Sequence, residues 1–175
     1  LLFREITEQG RALAAAAGDA LREGQAAADP VAEVPPRFDA KAVTEWLAAN
    51  FDSPMWKELT IGCLGCGACA YACSSCHCFD IQDEPGRSQS VRYRCWDNCG
   101  LALFTQHTSG HNPRPDRLSR WRQRLMHKFS YIPQRFELLG CTGCGRCVRL
   151  CHNGVSILEA CERIEQLCCS KTAAK

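Results

Sequence analysis

Long apolar segments are absent from this sequence of 175 residues. No run reaches the roughly 18 apolar residues that a transmembrane helix needs, so we expect no membrane span. The strand–turn–helix fingerprint Gly-x-Gly-x-x-Gly is also absent, so we expect the chain to bind no dinucleotide itself. The formal net charge of +2 gives little indication of a partner. The apolar share of 46% is enough for a modest core, which suits one domain or one domain with a helical extension.

Cysteine, in contrast, is abundant, at 15 of 175 residues. Eight of these cysteines form two copies of the pattern Cys-x2-Cys-x2-Cys-x3-Cys, one starting at Cys63 and the other at Cys141. In the bacterial ferredoxin pattern with this spacing, three thiolates surround one [4Fe–4S] cluster and the fourth binds the neighbouring cluster. The two copies therefore predict two [4Fe–4S] clusters and electron transfer through the chain.

The exchange of the fourth cysteine defines the predicted ligand sets. The first cluster is assigned to Cys63, Cys66, Cys69 and Cys151. The second cluster is assigned to Cys141, Cys144, Cys147 and Cys73. Zinc fits the pattern less well because it prefers cysteine pairs from two separate knuckles, and disulfide frameworks are typical of small secreted domains. Clusters of this type and many unpaired thiols favour a reducing cytoplasm.

The predicted fold class is mainly α: an α-helical ferredoxin-like dicluster domain with a small β-hairpin insert. Residues 1–36 are expected to form an N-terminal helix, over 1–24, and a linker. Residues 37–169 are expected to form the dicluster domain, with the insert at about 74–140, and residues 170–175 a tail.

Several elements of the dicluster domain have clear sequence signals. Asp39 is predicted to cap a helix, and Ser53-Pro54 to start another with proline at its first position. Apolar and polar residues alternate over 78–96, which predicts a β-hairpin. A basic helix is predicted from Asp116 to Phe129, and Ser156 is predicted to cap the last helix.

Four further cysteines fall within the insert, namely Cys76, Cys78, Cys95 and Cys99. The predicted hairpin would bring the first pair near the second pair, where four thiolates could hold a third iron–sulfur cluster or a zinc ion. The alternative is that they are reduced thiols packed beside the two clusters. Cys161 and Cys168 of the last helix are expected to be small buried hydrophobes.

The basic helix carries six cationic side chains around a single Asp116: Arg114, Arg117, Arg120, Arg122, Arg124 and Lys128. Nucleic-acid binding is one interpretation of such a helix, although we expect no nucleic-acid partner. A better one is that these cations lie near the anionic clusters, favour their reduced form and steer an acidic partner. The third interpretation is a solvated helix face.

Several short segments carry a resemblance to a known family. They are CSSCHCFDIQD at 73–83, Trp96-Asp97-Asn98-Cys99, Phe104-Thr105, Ser109-Gly110-His111-Asn112-Pro113-Arg114 and His127-Lys128-Phe129-Ser130-Tyr131. With the two cysteine motifs, and from about Phe38 to Ile157, the chain resembles the iron–sulfur β subunit of cytoplasmic NADP-linked [NiFe] hydrogenases, or sulfhydrogenases. It resembles the corresponding component of anaerobic sulfite reductase equally well.

This resemblance implies a flavoprotein partner that binds NAD(P)H and FAD. It also implies a catalytic partner, either a [NiFe] hydrogenase or a sirohaem sulfite reductase subunit. The eight motif cysteines match cluster ligands, and Cys76, Cys78 and Cys99 match cysteines of the family, whereas Cys95 stands where an arginine is expected. Ser74 and His152 replace the usual prolines. Because the family carries a further N-terminal domain, the short stretch before Phe38 suggests a fragment or a shortened subunit.

Three functional hypotheses follow. The leading one is a non-catalytic electron relay inside an oxidoreductase complex. The second is a redox enzyme that acts on sulfur or disulfide substrates through Cys76, Cys78, Cys95 or Cys99 as nucleophile. The third is a zinc-binding interaction module.

Overall fold

The computed structural model describes residues 7–21, 24 and 35–172, which divide between two units, Leu1–Pro35 and Pro36–Lys175. In the first unit, helix α1 covers Glu8–Ala17, and a 3₁₀ turn follows at Gly18–Ala20. The Thr7 hydroxyl caps α1 by accepting a hydrogen bond of 3.0 Å from the Gly10 N–H. No residue of α1 is buried.

The predicted N-terminal helix is thus observed over a shorter range than 1–24. Its first residues, and most of the linker after it, lie outside the described residues, at 1–6, 22–23 and 25–34.

The second unit is mainly helical, as predicted, and contains one small sheet. Its elements in chain order are α2 (Ala40–Ala49), α3 (Met55–Thr60), α4 (Ala68–Tyr71), β1 (Phe79–Glu84), β2 (Val91–Trp96), α5 (Arg117–Met126), a π-helical turn (His127–Tyr131), α6 (Ile132–Phe136), α7 (Arg146–Arg149) and α8 (Ile157–Thr172). No helix within the described residues is both long and apolar enough to cross a membrane. The ferredoxin-like topology remains a prediction.

The predicted helix caps are present where α2 and α8 begin. The Asp39 carboxylate accepts hydrogen bonds from the N–H groups of Lys41 and Ala42, at 2.8 and 3.2 Å. The Ser156 hydroxyl accepts one of 3.2 Å from the Glu159 N–H. These contacts satisfy amide groups that have no partner inside the helix. Pro54 differs slightly from its prediction, because it is the capping residue of α3 rather than the first helical residue.

The core of the second unit lies between α2, α3, α5 and α8. Trp56 is 1% exposed and packs edge-to-face against Trp46 and Trp121, with ring centroids 6.3 and 6.4 Å apart. Cys161 is fully buried in α8, which confirms its prediction as a small core residue. Cys168 is partly buried against the same core. Trp121 and Leu125 of α5 belong to this core, whereas Arg120 and Arg124 lie on the adjacent side of the helix, toward the cysteine loops.

The predicted β-hairpin is confirmed, with β1 and β2 antiparallel and in register from Phe79 opposite Trp96 to Glu84 opposite Val91. Nearly all of its residues are exposed. The hairpin follows Cys78 directly and leads into Asp97, whose carboxylate accepts a hydrogen bond of 2.6 Å from the Asn98 N–H. Residues 101–115 form turns and loop.

Candidate metal centres

The first cysteine motif surrounds a cavity that we call the first cavity. Its loop runs from Cys63 to the start of α4, where Gly67 adopts the left-handed conformation with φ of 75°. Glycine is the residue that takes this conformation without a steric penalty. The cysteines that line the first cavity are Cys63, Cys66, Cys69 and Cys151.

The second motif surrounds an equivalent space, the second cavity. Gly145 precedes α7 with φ of 70°, as Gly67 precedes α4. The helices α4 and α7 also contact each other, so the two loops are neighbours with matching local structure. The cysteines that line the second cavity are Cys141, Cys144, Cys147 and Cys73.

Each fourth cysteine therefore leaves its own loop and reaches the other cavity. Cys73 comes after α4, and its N–H donates to the Ala70 carbonyl. Cys151 comes after α7, and its N–H donates to the Val148 carbonyl at the same distance of 3.2 Å. The Cys151 sulfur accepts a hydrogen bond of 3.2 Å from the Val155 N–H. These groupings coincide with the ligand sets that the sequence predicts.

The two cavities differ little in how they meet solvent. Cys66 is exposed at the first cavity and Cys144 at the second, whereas the other six motif cysteines are partly buried. Each cavity thus has one sulfur at the protein surface and three that are shielded.

Three cations of α5 and the π-helical turn are buried beside the cavities. Arg120, Arg124 and Lys128 follow one another at intervals of four residues and are only 7%, 5% and 3% exposed. That interval places them along one side of the helix. For these three residues the interpretation as a solvated helix face is wrong, and the interpretation that places cations near the clusters is favoured.

Backbone carbonyls hold these cations in place. Arg120 donates to the carbonyls of Gly100 at 3.2 Å and Pro115 at 2.8 Å. Lys128 Nζ donates to the Gly140 carbonyl at 2.7 Å and to the Ser75 hydroxyl at 2.8 Å. Ser75 in turn lies 3.4 Å from the Cys73 sulfur.

Arg124 occupies the middle of this row. Its Nη2 donates to the Cys69 carbonyl at 3.2 Å, while its buried Nε has no hydrogen-bond partner in the protein. Arg124 lines both cavities, whereas Arg120 lines only the first and Lys128 only the second.

This charge arrangement fits an anionic cofactor. Among the ion pairs within the described residues, none involves Arg120, Arg124 or Lys128. A buried cation is costly without a compensating negative charge. Each cavity combines four thiols with buried cations among glycines and apolar side chains. The residues present therefore suit iron–sulfur clusters, whose thiolate-bound form is negatively charged.

The thiol pKa values reflect the same environment. Burial raises the pKa of Cys69. Burial would also raise the pKa of Cys73, but hydrogen bonds with Ser75 and the nearby Lys128 lower it to about 6. Burial lowers the pKa of Arg124, yet the Cys69 and Cys147 thiolates raise it overall. The surroundings therefore favour the thiolate at Cys73 and the charged guanidinium at Arg124, whereas burial favours the neutral thiol at Cys69.

The insert cysteines are brought together only in part. A hydrogen bond from Cys99 lowers the pKa of Cys78 to about 6, and the same contact raises the pKa of Cys99. Cys76 interacts with Cys99 as well. Cys95 instead lies on the hairpin, where its thiol points to the Asp80 carbonyl at 3.7 Å. The structure thus places three of the four predicted thiols near one another and the fourth elsewhere.

No group of three or more His, Cys, Asp or Glu residues within the described chain is arranged to hold a single metal ion. The zinc ion in the insert and the zinc-binding interaction module stay predictions.

Asn98 is a structural residue of the site to which the sequence analysis assigned no role. It is 2% exposed, and its Oδ1 accepts a hydrogen bond of 2.9 Å from the Gly100 N–H. A Cβ atom on Gly67 would lie only 2.8 Å from Asn98 Nδ2. Asn98 therefore supports the backbone of the first loop from outside the cavity. Its position next to Cys99 was a sequence signal, but no general rule assigns an asparagine this role.

Comparison with known proteins agrees with the cysteine pattern. The chain matches a family model described as a 4Fe-4S dicluster domain over residues 62–155. It is 32% identical over 130 residues to the protein called sulfhydrogenase 2 subunit beta from Pyrococcus furiosus. The alignment covers 74% of this chain but 38% of that relative, so the chain spans well under half of the relative's length. No solved structure matches. The predicted resemblance to sulfhydrogenase β subunits is confirmed.

Proposed function

Because the chain belongs to the 4Fe-4S dicluster domain family, we propose that it is a non-catalytic subunit that relays single electrons through two [4Fe–4S] clusters. One observation carries the proposal: each cavity combines three cysteines of one motif with the fourth cysteine of the other. This exchange is the arrangement of two-cluster ferredoxins. Iron–sulfur electron transfer is also what the family match and the sulfhydrogenase relative support.

The chain's own residues provide binding, charge and shielding. Cys63, Cys66, Cys69 and Cys151 are the proposed ligands in the first cavity, and Cys141, Cys144, Cys147 and Cys73 are those in the second. Each cluster supplies one-electron redox chemistry when bound. The buried cations Arg120, Arg124 and Lys128 balance the negative charge of the thiolates. The core around Trp121 and Phe129 excludes water from the inner side of both cavities.

The exposed edges of the two cavities suit contacts with redox partners. Leu64 lines the first cavity and is 57% exposed, and Leu139 lines the second cavity and is 45% exposed. We propose that one edge faces a flavoprotein subunit that binds NAD(P)H and FAD. The other would face a catalytic subunit of [NiFe] hydrogenase or sirohaem sulfite reductase type. The name of the relative favours the hydrogenase assignment, and a cytoplasmic location belongs to the same proposal.

Metal analysis and EPR of anaerobically purified protein test the proposed function. We expect about eight iron atoms per chain and two reducible [4Fe–4S] signals. Cys66→Ala and Cys144→Ala should each weaken one signal, whereas Cys161→Ala, a matched change at a core cysteine, should leave both. Iron near zero, or no reducible signal in the wild-type chain, would rule out the relay.

The insert supports a second candidate function because Cys76, Cys78 and Cys99 lie together outside the ligand sets of the two cavities. They would form a third iron–sulfur or zinc site, or act on sulfur or disulfide substrates. About twelve iron atoms per chain would favour a third cluster, and zinc in the metal analysis would favour zinc. A thiol enzyme requires that Cys78→Ser and Cys99→Ser abolish turnover while both cluster signals remain intact. Retained turnover in both variants would exclude it.

A further inference from the structure

The three buried cations divide between the two cavities in a simple way. Arg120 lines the first cavity and Lys128 lines the second. Arg124, one helical turn from each of them, lines both. The Arg124 guanidinium is therefore next to both cavities.

Arg124 differs from Arg120 and Lys128 in how fully its N–H groups are hydrogen-bonded by the protein. Arg120 donates to three backbone carbonyls, and Lys128 to one carbonyl and one hydroxyl. Arg124 donates to the Cys69 carbonyl through Nη2, but its buried Nε is left without a protein acceptor. An unpaired buried N–H on a cation is costly, so an acceptor inside the cavities is expected.

The cysteines of both ligand sets interact electrostatically with Arg124. Cys69 belongs to the first cavity and Cys147 to the second, and both interact with Arg124. No carboxylate forms an ion pair with Arg124 among the described residues. The anionic groups that act on it are the thiolates of Cys69, Cys147 and the insert cysteine Cys76.

We propose that Arg124 is a shared electrostatic residue that raises the reduction potentials of both clusters. The proposal rests on the proposed function, because it requires both clusters. A reduced cluster carries one more negative charge than an oxidised one, so a nearby buried cation stabilises the reduced form more. Because Arg124 lines both cavities, this stabilisation applies to both clusters and keeps both potentials higher.

The test is an anaerobic redox titration that is monitored by EPR. The two clusters are expected to give two reduction steps. Arg124→Met removes the charge and should shift both steps to more negative potential. Arg120→Met should shift one step and Lys128→Met the other, because each lines a single cavity. Arg163→Met is the matched surface control. Arg163 lies on the exposed side of α8 and forms an ion pair with Glu58 of α3. Its replacement should shift neither step.

Arg124→Lys provides a second variant that keeps the positive charge. Any shift it causes must appear in both steps and be smaller than in Arg124→Met. If Arg124→Met does not incorporate iron, Arg124→Lys is the variant that tests the proposal. The proposal is overturned if Arg124→Met, with full iron content, moves only one step or neither, or if Arg124→Lys, with full iron content, moves only one step. A wild-type chain without clusters would instead contradict the proposed function.

Discussion

Replacing Gly67 with alanine should destabilise the protein more than the same change at a comparable glycine. Gly67 and Gly154 both have positive φ, at 75° and 66°. A left-handed backbone costs an L-residue about 1–2 kcal/mol, and this strain is the same at both positions. The surroundings differ, because a Cβ at Gly154 would meet nothing within 4 Å, whereas a Cβ at Gly67 would lie 2.8 and 2.9 Å from the amide atoms of Asn98.

The steric contribution at Gly67 can be estimated from this contact. Overpacking a tightly packed site costs about 1–3 kcal/mol, and Asn98 has little freedom to move because it is 2% exposed and bonded to the Gly100 N–H. In a chain of this size, each kcal/mol lowers Tm by about 2–4 °C. Gly67→Ala should therefore melt about 2–12 °C below Gly154→Ala.

Thermal unfolding under anaerobic conditions, with iron content checked before each scan, measures this difference. Asn98→Ala removes the atoms with which the new methyl group clashes, so the double variant Gly67→Ala/Asn98→Ala should recover most of the extra loss in a double-mutant cycle. The reasoning is refuted if Gly67→Ala and Gly154→Ala have equal Tm values, or if Asn98→Ala does not relieve Gly67→Ala.

Three further predictions concern ligands, core and pH. Cys151→Ser should alter the same EPR signal as Cys63→Ser, and not the one altered by Cys147→Ser; the opposite pairing would contradict the crossed ligand sets. Trp56→Ala, at a side chain that is 1% exposed, should lower the free energy of unfolding by about 3–5 kcal/mol in denaturant titrations, and a loss below 1 kcal/mol would be inconsistent with its packing. Burial raises the pKa of Cys161 above the ordinary thiol value of 9.0, so its stabilising contribution is present below that pH and is lost above it, where the unfolded thiol ionises. The wild type should therefore lose more Tm than Cys161→Ala between pH 7 and 10, and parallel curves would refute this.

Local signals in the sequence were sufficient for much of the second unit. Asp39 and Ser156 act as caps because capping depends on a short side chain and the next three amide groups. The hairpin from Phe79 to Trp96 follows from period-two alternation around a turn. The two cavities gather the predicted cysteines because the spacing itself shapes each loop.

Long-range packing explains what the sequence could not predict. The burial of Arg124 depends on two cysteine loops that lie far away in the chain, and charge alone would place an arginine in solvent. The sequence predicts that the hairpin brings Cys95 near Cys76 and Cys78, but the hairpin register directs its thiol to the Asp80 carbonyl. Residues 127–131 form a π-helical turn rather than a continued α-helix, which a regular apolar period does not reveal.

The exchange of the fourth cysteines would couple cluster binding to the folding of the second unit. Neither loop of three cysteines completes its own cavity, because the first needs Cys151 and the second needs Cys73. The entropy of bringing such distant segments together is repaid when metal binding and folding occur together. A chain interrupted between the two motifs would lose both sites at once.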